Sequence, residues 1–71
     1  MTGEIKKLIF QEITNNDTVM LHDLYKIVLE KIKDPITTDT QKRHRVRSIL
    51  NELCRNDKLA RIAPLTYKKL D

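Results

Sequence analysis

Apolar residues recur with helical spacing in three segments of the chain. Side chains three or four residues apart share one face of a helix, so each segment is predicted to be amphipathic and to bury one face. The first helix is expected from about Gly3 to about Asn15 and the second from about Leu21 to about Lys33. The predicted core stripes are Ile5, Leu8, Ile9 and Ile13 in the first helix and Leu21, Leu24, Tyr25, Val28 and Ile32 in the second. Phe10, at the edge of the first stripe, is also expected in the core.

The third helix carries its own start signal. Thr38 and Gln41 match the capping box, in which a Thr and a Gln three residues later satisfy each other's backbone N–H groups. The helix is therefore predicted over residues 38–56. Its buried face is formed by Val46, Ile49, Leu50, Leu53 and Cys54, with Cys54 acting as a small hydrophobic residue.

Short runs rich in β-branched and aromatic residues predict three strands. Thr18–Met20 is expected to form a minimal first strand before the second helix. Residues 59–63 and 66–70 flank Pro64 and Leu65, which predicts a C-terminal β-hairpin. The chain is thus expected to be a single α+β domain over residues 1–71.

Charge is distributed unevenly along the chain. Residues 1–40 contain five Lys or Arg and seven Asp or Glu, whereas residues 41–71 contain nine and three. The second part therefore has a net charge of +6, within a total of +4. Concentration of basic charge on one part of a small domain is typical of phosphate binding.

The order of helix, short strand, two helices and hairpin resembles the winged helix-turn-helix family of DNA-binding domains. The passage from Arg45 to Ile62 carries the resemblance, because an apolar i, i+3, i+4, i+7 helix ends at a polar turn and leads into a strand. The resemblance implies a three-helix winged helix-turn-helix fold with a short hairpin wing. It also implies sequence-specific binding of double-stranded DNA and transcriptional regulation, as in small prokaryotic, archaeal or viral regulators. The wing tip, Ala63-Pro64-Leu65, is uncharged, which argues against its insertion into the minor groove.

In such a domain the basic third helix is expected to be the recognition helix in the major groove. Steps of about 100° per residue from Val46 place one ridge of this helix opposite the core. The predicted base contacts are Gln41, His44, Arg45, Ser48 and Asn51. The predicted phosphate contacts are Lys42, Arg43 and Arg47 on the helix and Arg61, Lys68 and Lys69 on the hairpin. Lys42 lies near the buried side and would have to extend its ammonium to solvent.

Two other interpretations stay open. The charged face is also compatible with an ordinary solvated surface helix. Winged helices also serve as protein-interaction modules in replication or repair assemblies, and a fold alone does not decide between these functions. The extra apolar residues Ile27 and Leu29 and the uncharged wing favour that second use. A protein partner or a homodimer is therefore an alternative to DNA.

Catalysis, metal binding and cofactor binding are not expected. His44 and Ser48 are four residues apart, but no orienting acid or oxyanion site accompanies them. His22, His44 and Cys54 lack the spacing of a zinc site. Gly3 is the only glycine, so the chain contains no glycine-rich phosphate loop. No apolar run approaches the roughly 20 residues needed to cross a bilayer, and no secretory signal pattern is present. We therefore expect a cytoplasmic, nucleoid-associated protein, or one in the host cytoplasm if its source is viral.

Overall fold

The computed structural model describes residues 2–70 and, for Thr2, the backbone only. It contains three helices and three strands, in the order α1 (Thr2–Asn15), β1 (Thr18–Met20), α2 (Leu21–Lys31), α3 (Asp39–Arg55), β2 (Leu59–Ala63) and β3 (Thr66–Lys69). This order confirms the predicted α+β class and the arrangement of a winged helix-turn-helix. The second helix ends two residues earlier than expected, because Ile32 already has an extended backbone with φ −99° and ψ 96°.

The three strands form one antiparallel sheet in the order β1-β3-β2. Val19 and Arg61 both pair with Tyr67 of the central strand β3. Val19 and Tyr67 are buried, so this face of the sheet belongs to the core. The register of β2 shifts between Arg61 and Ala63, which leaves Ile62 as the extra residue of a bulge. Pairing of β1 with β3 adds a third strand to the β2–β3 hairpin.

The core lies where the three helices and the inner face of the sheet meet. Its fully enclosed side chains come from all three helices: Ile9, Leu24, Val28, Val46 and Leu50. Cys54 and Tyr25 are half-buried and pack against this core. The prediction for Phe10 was wrong, since its ring is 43% exposed and the Lys6 ammonium lies 5.7 Å from its centroid. At the edge of the apolar stripe of α1, the Phe10 ring therefore lies partly in solvent.

The end of α3 is fixed by a reversal of the backbone into the left-handed region. Asp57 has φ 60°, and its N–H donates to the Cys54 carbonyl at 3.2 Å. The next N–H, of Lys58, donates to the Leu53 carbonyl at 2.9 Å. This pair of bonds is a Schellman motif, which satisfies the last carbonyls of a helix. It also directs the chain into β2 immediately after the helix.

Candidate nucleic-acid interface

The start of α3 is held by the predicted capping box. The Gln41 backbone N–H donates to Thr38 Oγ1 at 3.2 Å, and the Thr38 N–H donates to Gln41 Oε1 at 2.9 Å. Val46 and Leu50 are completely buried and anchor the opposite side of the helix. The helix is therefore fixed both at its N-terminus and along its apolar face.

All five predicted base-contact residues lie exposed on α3: Gln41, His44, Arg45, Ser48 and Asn51. Arg43 and Arg47 are also exposed. The helix therefore presents a polar surface with three of its four arginines, Arg43, Arg45 and Arg47, in the N-terminal half. The partial positive charge of a helix N-terminus adds to the field of these side chains.

One wall of a groove is formed by this surface. The groove has a volume of about 470 Å³ and is lined by Ile5, Ile32, Asp34, Thr37, Gln41, His44, Arg45 and Ser48. Four of the five predicted base-contact residues are thus brought together beside α1 and the α2–α3 loop. Asn51 does not line the groove, and neither do Arg43 and Arg47. The four arginines of α3 are accordingly divided, with Arg45 in the groove and Arg43, Arg47 and Arg55 outside it.

Lys42 does not occupy the position expected of a phosphate contact. The whole residue is only 5% exposed, and its Nζ donates a hydrogen bond to the Ile32 carbonyl at 2.6 Å. The prediction that its side chain would extend to solvent is therefore corrected. The backbone carbonyl at the end of α2 supplies the polar partner that solvent would otherwise provide.

The loop between α2 and α3 is organised around Asp34. One carboxylate oxygen accepts the Ile36 N–H at 2.9 Å, and the other accepts the Thr37 hydroxyl at 2.7 Å. The Thr37 hydroxyl, the Ile36 N–H and the charge of Lys42 lower the pKa of Asp34. The carboxylate is consequently a stable negative charge at the rim of the groove.

The hairpin cations do not share one surface. Lys68 and Lys69 are neighbours in β3, so their side chains point to opposite faces of the sheet. Arg61 pairs with buried Tyr67, and Tyr67 and Lys69 are two residues apart in β3. The side chains of Arg61 and Lys69 therefore lie on the same face of the sheet. Its Nε also donates to the Pro64 carbonyl at 3.1 Å across the turn. These three residues cannot all contact the same stretch of a flat partner.

Four lining residues of the groove were not identified as site residues from the sequence: Ile5, Ile32, Asp34 and Thr37. Asp34 could have been found, because an Asp that bonds the N–H two residues later is a common turn signal. The two isoleucines could not, since their helical spacing indicates only burial. Their position beside α3 depends on how the helices pack.

A second groove, of about 360 Å³, lies between the end of α1, β1 and α2. Glu12, Asp23 and Glu30 line it together with a single cation, Lys26. This second groove is therefore net acidic, whereas the groove beside α3 contains one carboxylate, Asp34, and one guanidinium, Arg45. Among the described residues, no group of three or more His, Cys, Asp or Glu is placed to hold a metal ion. The same part of the chain has no helix long and apolar enough to cross a membrane.

Comparison of the chain with models of protein families, with curated proteins and with solved structures gives no match.

Proposed function

We propose that this protein binds double-stranded DNA with α3 in the major groove and acts as a sequence-specific transcriptional regulator. The observation that carries the proposal is the exposed surface at the N-terminal half of α3, on which His44, Ser48, Arg43, Arg45 and Arg47 face solvent. The major groove of B-DNA is about 12 Å wide and admits one α-helix. Docking in the major groove requires a helix that is held in place by the rest of the domain and that presents positive charge to the phosphates. α3 is buried on one side and basic on the other, so it meets both requirements.

The proposed roles follow from the position of each side chain. Arg45, His44 and Ser48 would reach base edges, with Asn51 one turn further along the helix. Gln41 would contribute only its amide NH2 group, because its Oε1 already accepts the Thr38 N–H. An amide that keeps a free donor can still bond to an acceptor on a base.

Affinity would come mainly from phosphate contacts. Arg43 and Arg47 are exposed beside the base-reading surface and are the principal candidates. On the hairpin, Arg61 and Lys69 lie on the helix-facing side of the sheet, where Arg61 is exposed and Lys69 half-buried, and both would contact the flanking backbone. Lys68 faces the other side and is a contact only for DNA that bends around the hairpin.

Fluorescence anisotropy of a labelled duplex, measured over a range of salt concentrations, tests this proposal. The double variant R43Q/R47Q should lower the slope of log K against log[salt] by about 1.8, since each phosphate contact contributes about 0.9. The matched control K26Q/K31Q removes the same charge from α2 and should leave the slope unchanged. Absence of micromolar binding by the wild type at low salt refutes DNA binding.

A second function, as a protein-interaction module, is favoured by the wing. Ile62 and Leu65 are 56% and 39% exposed, and Met20 in β1, on the other side of the central strand β3, is 46% exposed. Exposed apolar side chains clustered at one end of a sheet are typical of a protein-binding surface. NMR shift mapping separates the two functions: DNA should perturb residues 41–51, whereas a protein partner should perturb residues 62–65.

A further inference from the structure

Lys42 links the two helices of the helix-turn-helix unit. It lies in the first turn of α3, and its ammonium bonds to the carbonyl of Ile32, the residue at which α2 ends. The last carbonyls of a helix have no partner within the helix and carry partial negative charge. A lysine ammonium supplies both the hydrogen bond and the opposite charge. The bond thus joins the end of α2 to the beginning of α3.

Hydrophobic packing alone does not account for a lysine at this position. Removing an ammonium from water is costly, and an apolar side chain of similar length often replaces a buried charge without loss of stability. A methionine would fill the same space, but it would not define the distance between the two helices. A hydrogen bond of 2.6 Å permits only a narrow range of positions.

The neighbouring loop reinforces this link. Asp34 is two residues beyond Ile32 and is bonded to Ile36 and Thr37. Ile32, Asp34 and Thr37 line the same groove as the base-reading side of α3. A shift of α3 relative to α2 would therefore change the shape of that groove and the positions of His44, Arg45 and Ser48.

We propose that Lys42 is a positioning residue, which sets the orientation of α3 against α2 and thereby the sequence specificity of DNA binding, without contacting DNA itself. This inference rests on the proposed function. It assigns Lys42 a role different from that of its neighbour Arg43, although both residues are basic and adjacent in the sequence.

The variants K42M and R43M provide a matched comparison, because each removes one positive charge and leaves an unbranched side chain. Two duplexes of equal length are used, one selected by the wild type from a random pool and one unselected. K42M should lower affinity for the selected duplex about tenfold and leave that for the unselected duplex nearly unchanged. Its salt slope should equal that of the wild type.

R43M should weaken binding to both duplexes by a similar factor and reduce the salt slope by about 0.9, as expected for a lost phosphate contact. A K42M variant that behaves in this way would show that Lys42 contacts phosphate, and would overturn the inference. Unchanged binding by K42M to both duplexes would overturn it equally. A purely structural role would lower the melting temperature and leave the ratio of the two affinities unchanged.

A measurement without DNA separates this inference from the proposed function. Residual dipolar couplings of the free protein report the angle between α2 and α3, which should change in K42M and not in R43M. An unchanged angle refutes the positioning role whether or not DNA binds. If K42M fails to fold, the ammonium resonance of Lys42 in the wild type serves instead. It should be protected from exchange with water and should not shift when the duplex is added, whereas a shift on addition contradicts the inference.

Discussion

Thr38 and Gln41 hold each other across the first turn of α3. Each side-chain oxygen accepts the backbone N–H of the other residue, at 3.2 Å for Thr38 Oγ1 and 2.9 Å for Gln41 Oε1. The pair satisfies two N–H groups that would otherwise lack partners at the helix start. It therefore fixes the beginning of the helix that carries the proposed DNA contacts and limits how Gln41 can take part in them.

Replacement of Thr38 by Ala should lower the free energy of unfolding by about 1 kcal/mol, the usual effect of losing an N-cap side chain. Urea denaturation followed by circular dichroism measures the change. Thr40→Ala is the control, because Thr40 is exposed in the same turn and does not cap the helix. Equal effects of the two substitutions would contradict a capping role for Thr38.

Replacement of Asp57 by Gly should stabilise the protein by about 1 kcal/mol, the lower end of the cost of a left-handed conformation for a residue with a Cβ atom. Asp57 ends α3 with φ 60°, a conformation that glycine adopts without the steric cost of a Cβ atom. Asp57→Ala removes the same charge but keeps the Cβ, so it should give no such gain. Thermal unfolding of the two variants checks this, and a gain in both would assign the effect to charge instead.

Asp34 should make stability depend on pH in the acidic range. Its pKa in the folded protein is lowered from 3.8, first by the Thr37 hydroxyl and then by the Ile36 N–H. A lowered pKa contributes stability that is present above the unfolded pKa and is lost as the pH falls through the folded value. Thr37→Val should raise the pKa of Asp34 and lower the free energy of unfolding at neutral pH. This loss of stability should become smaller as the pH falls below 3.8, where Asp34 is protonated in the unfolded chain.

Carbon-13 NMR titration of the Asp34 carboxyl group measures this pKa directly. The same titration of Thr40→Val controls for adding a β-branched apolar residue at a nearby exposed position. An Asp34 midpoint that is the same in Thr37→Val and in the wild type would show that the hydroxyl does not stabilise the carboxylate.

Arg45→Gln should relax sequence specificity at one base pair. A bidentate arginine contact to guanine is worth about 1–3 kcal/mol of discrimination. Selection of duplexes by the variant from a random pool, compared with selection by the wild type, reveals which position loses its preference. Arg55→Gln is the control, since Arg55 is exposed in the last turn of the same helix, away from the groove. Loss of preference at every position would instead indicate displacement of the whole helix.

The sequence by itself determined the order and approximate bounds of the elements. Three local patterns were sufficient for this: the helical spacing around Val46, the Thr38–Gln41 cap and the Pro64-Leu65 turn. Each depends only on residues a few positions apart in the sequence. Exposure of the ridge formed by Gln41, His44 and Ser48 was also predictable, because it follows from the angle between that ridge and Val46. Whether this ridge contacts DNA stays a proposal.

Only the tertiary structure decided what the charged side chains next to the buried faces contact. Lys42 is basic and sits within a basic cluster, but its partner Ile32 is ten residues away in another element. Arg61 shares a face of the sheet with Tyr67 and Lys69 because β2 and β3 pair in this particular register. The groove beside α3 likewise needs Ile5 from α1. Periodicity identifies which side of an element is buried, whereas only the packing of one element on another determines what each side chain contacts.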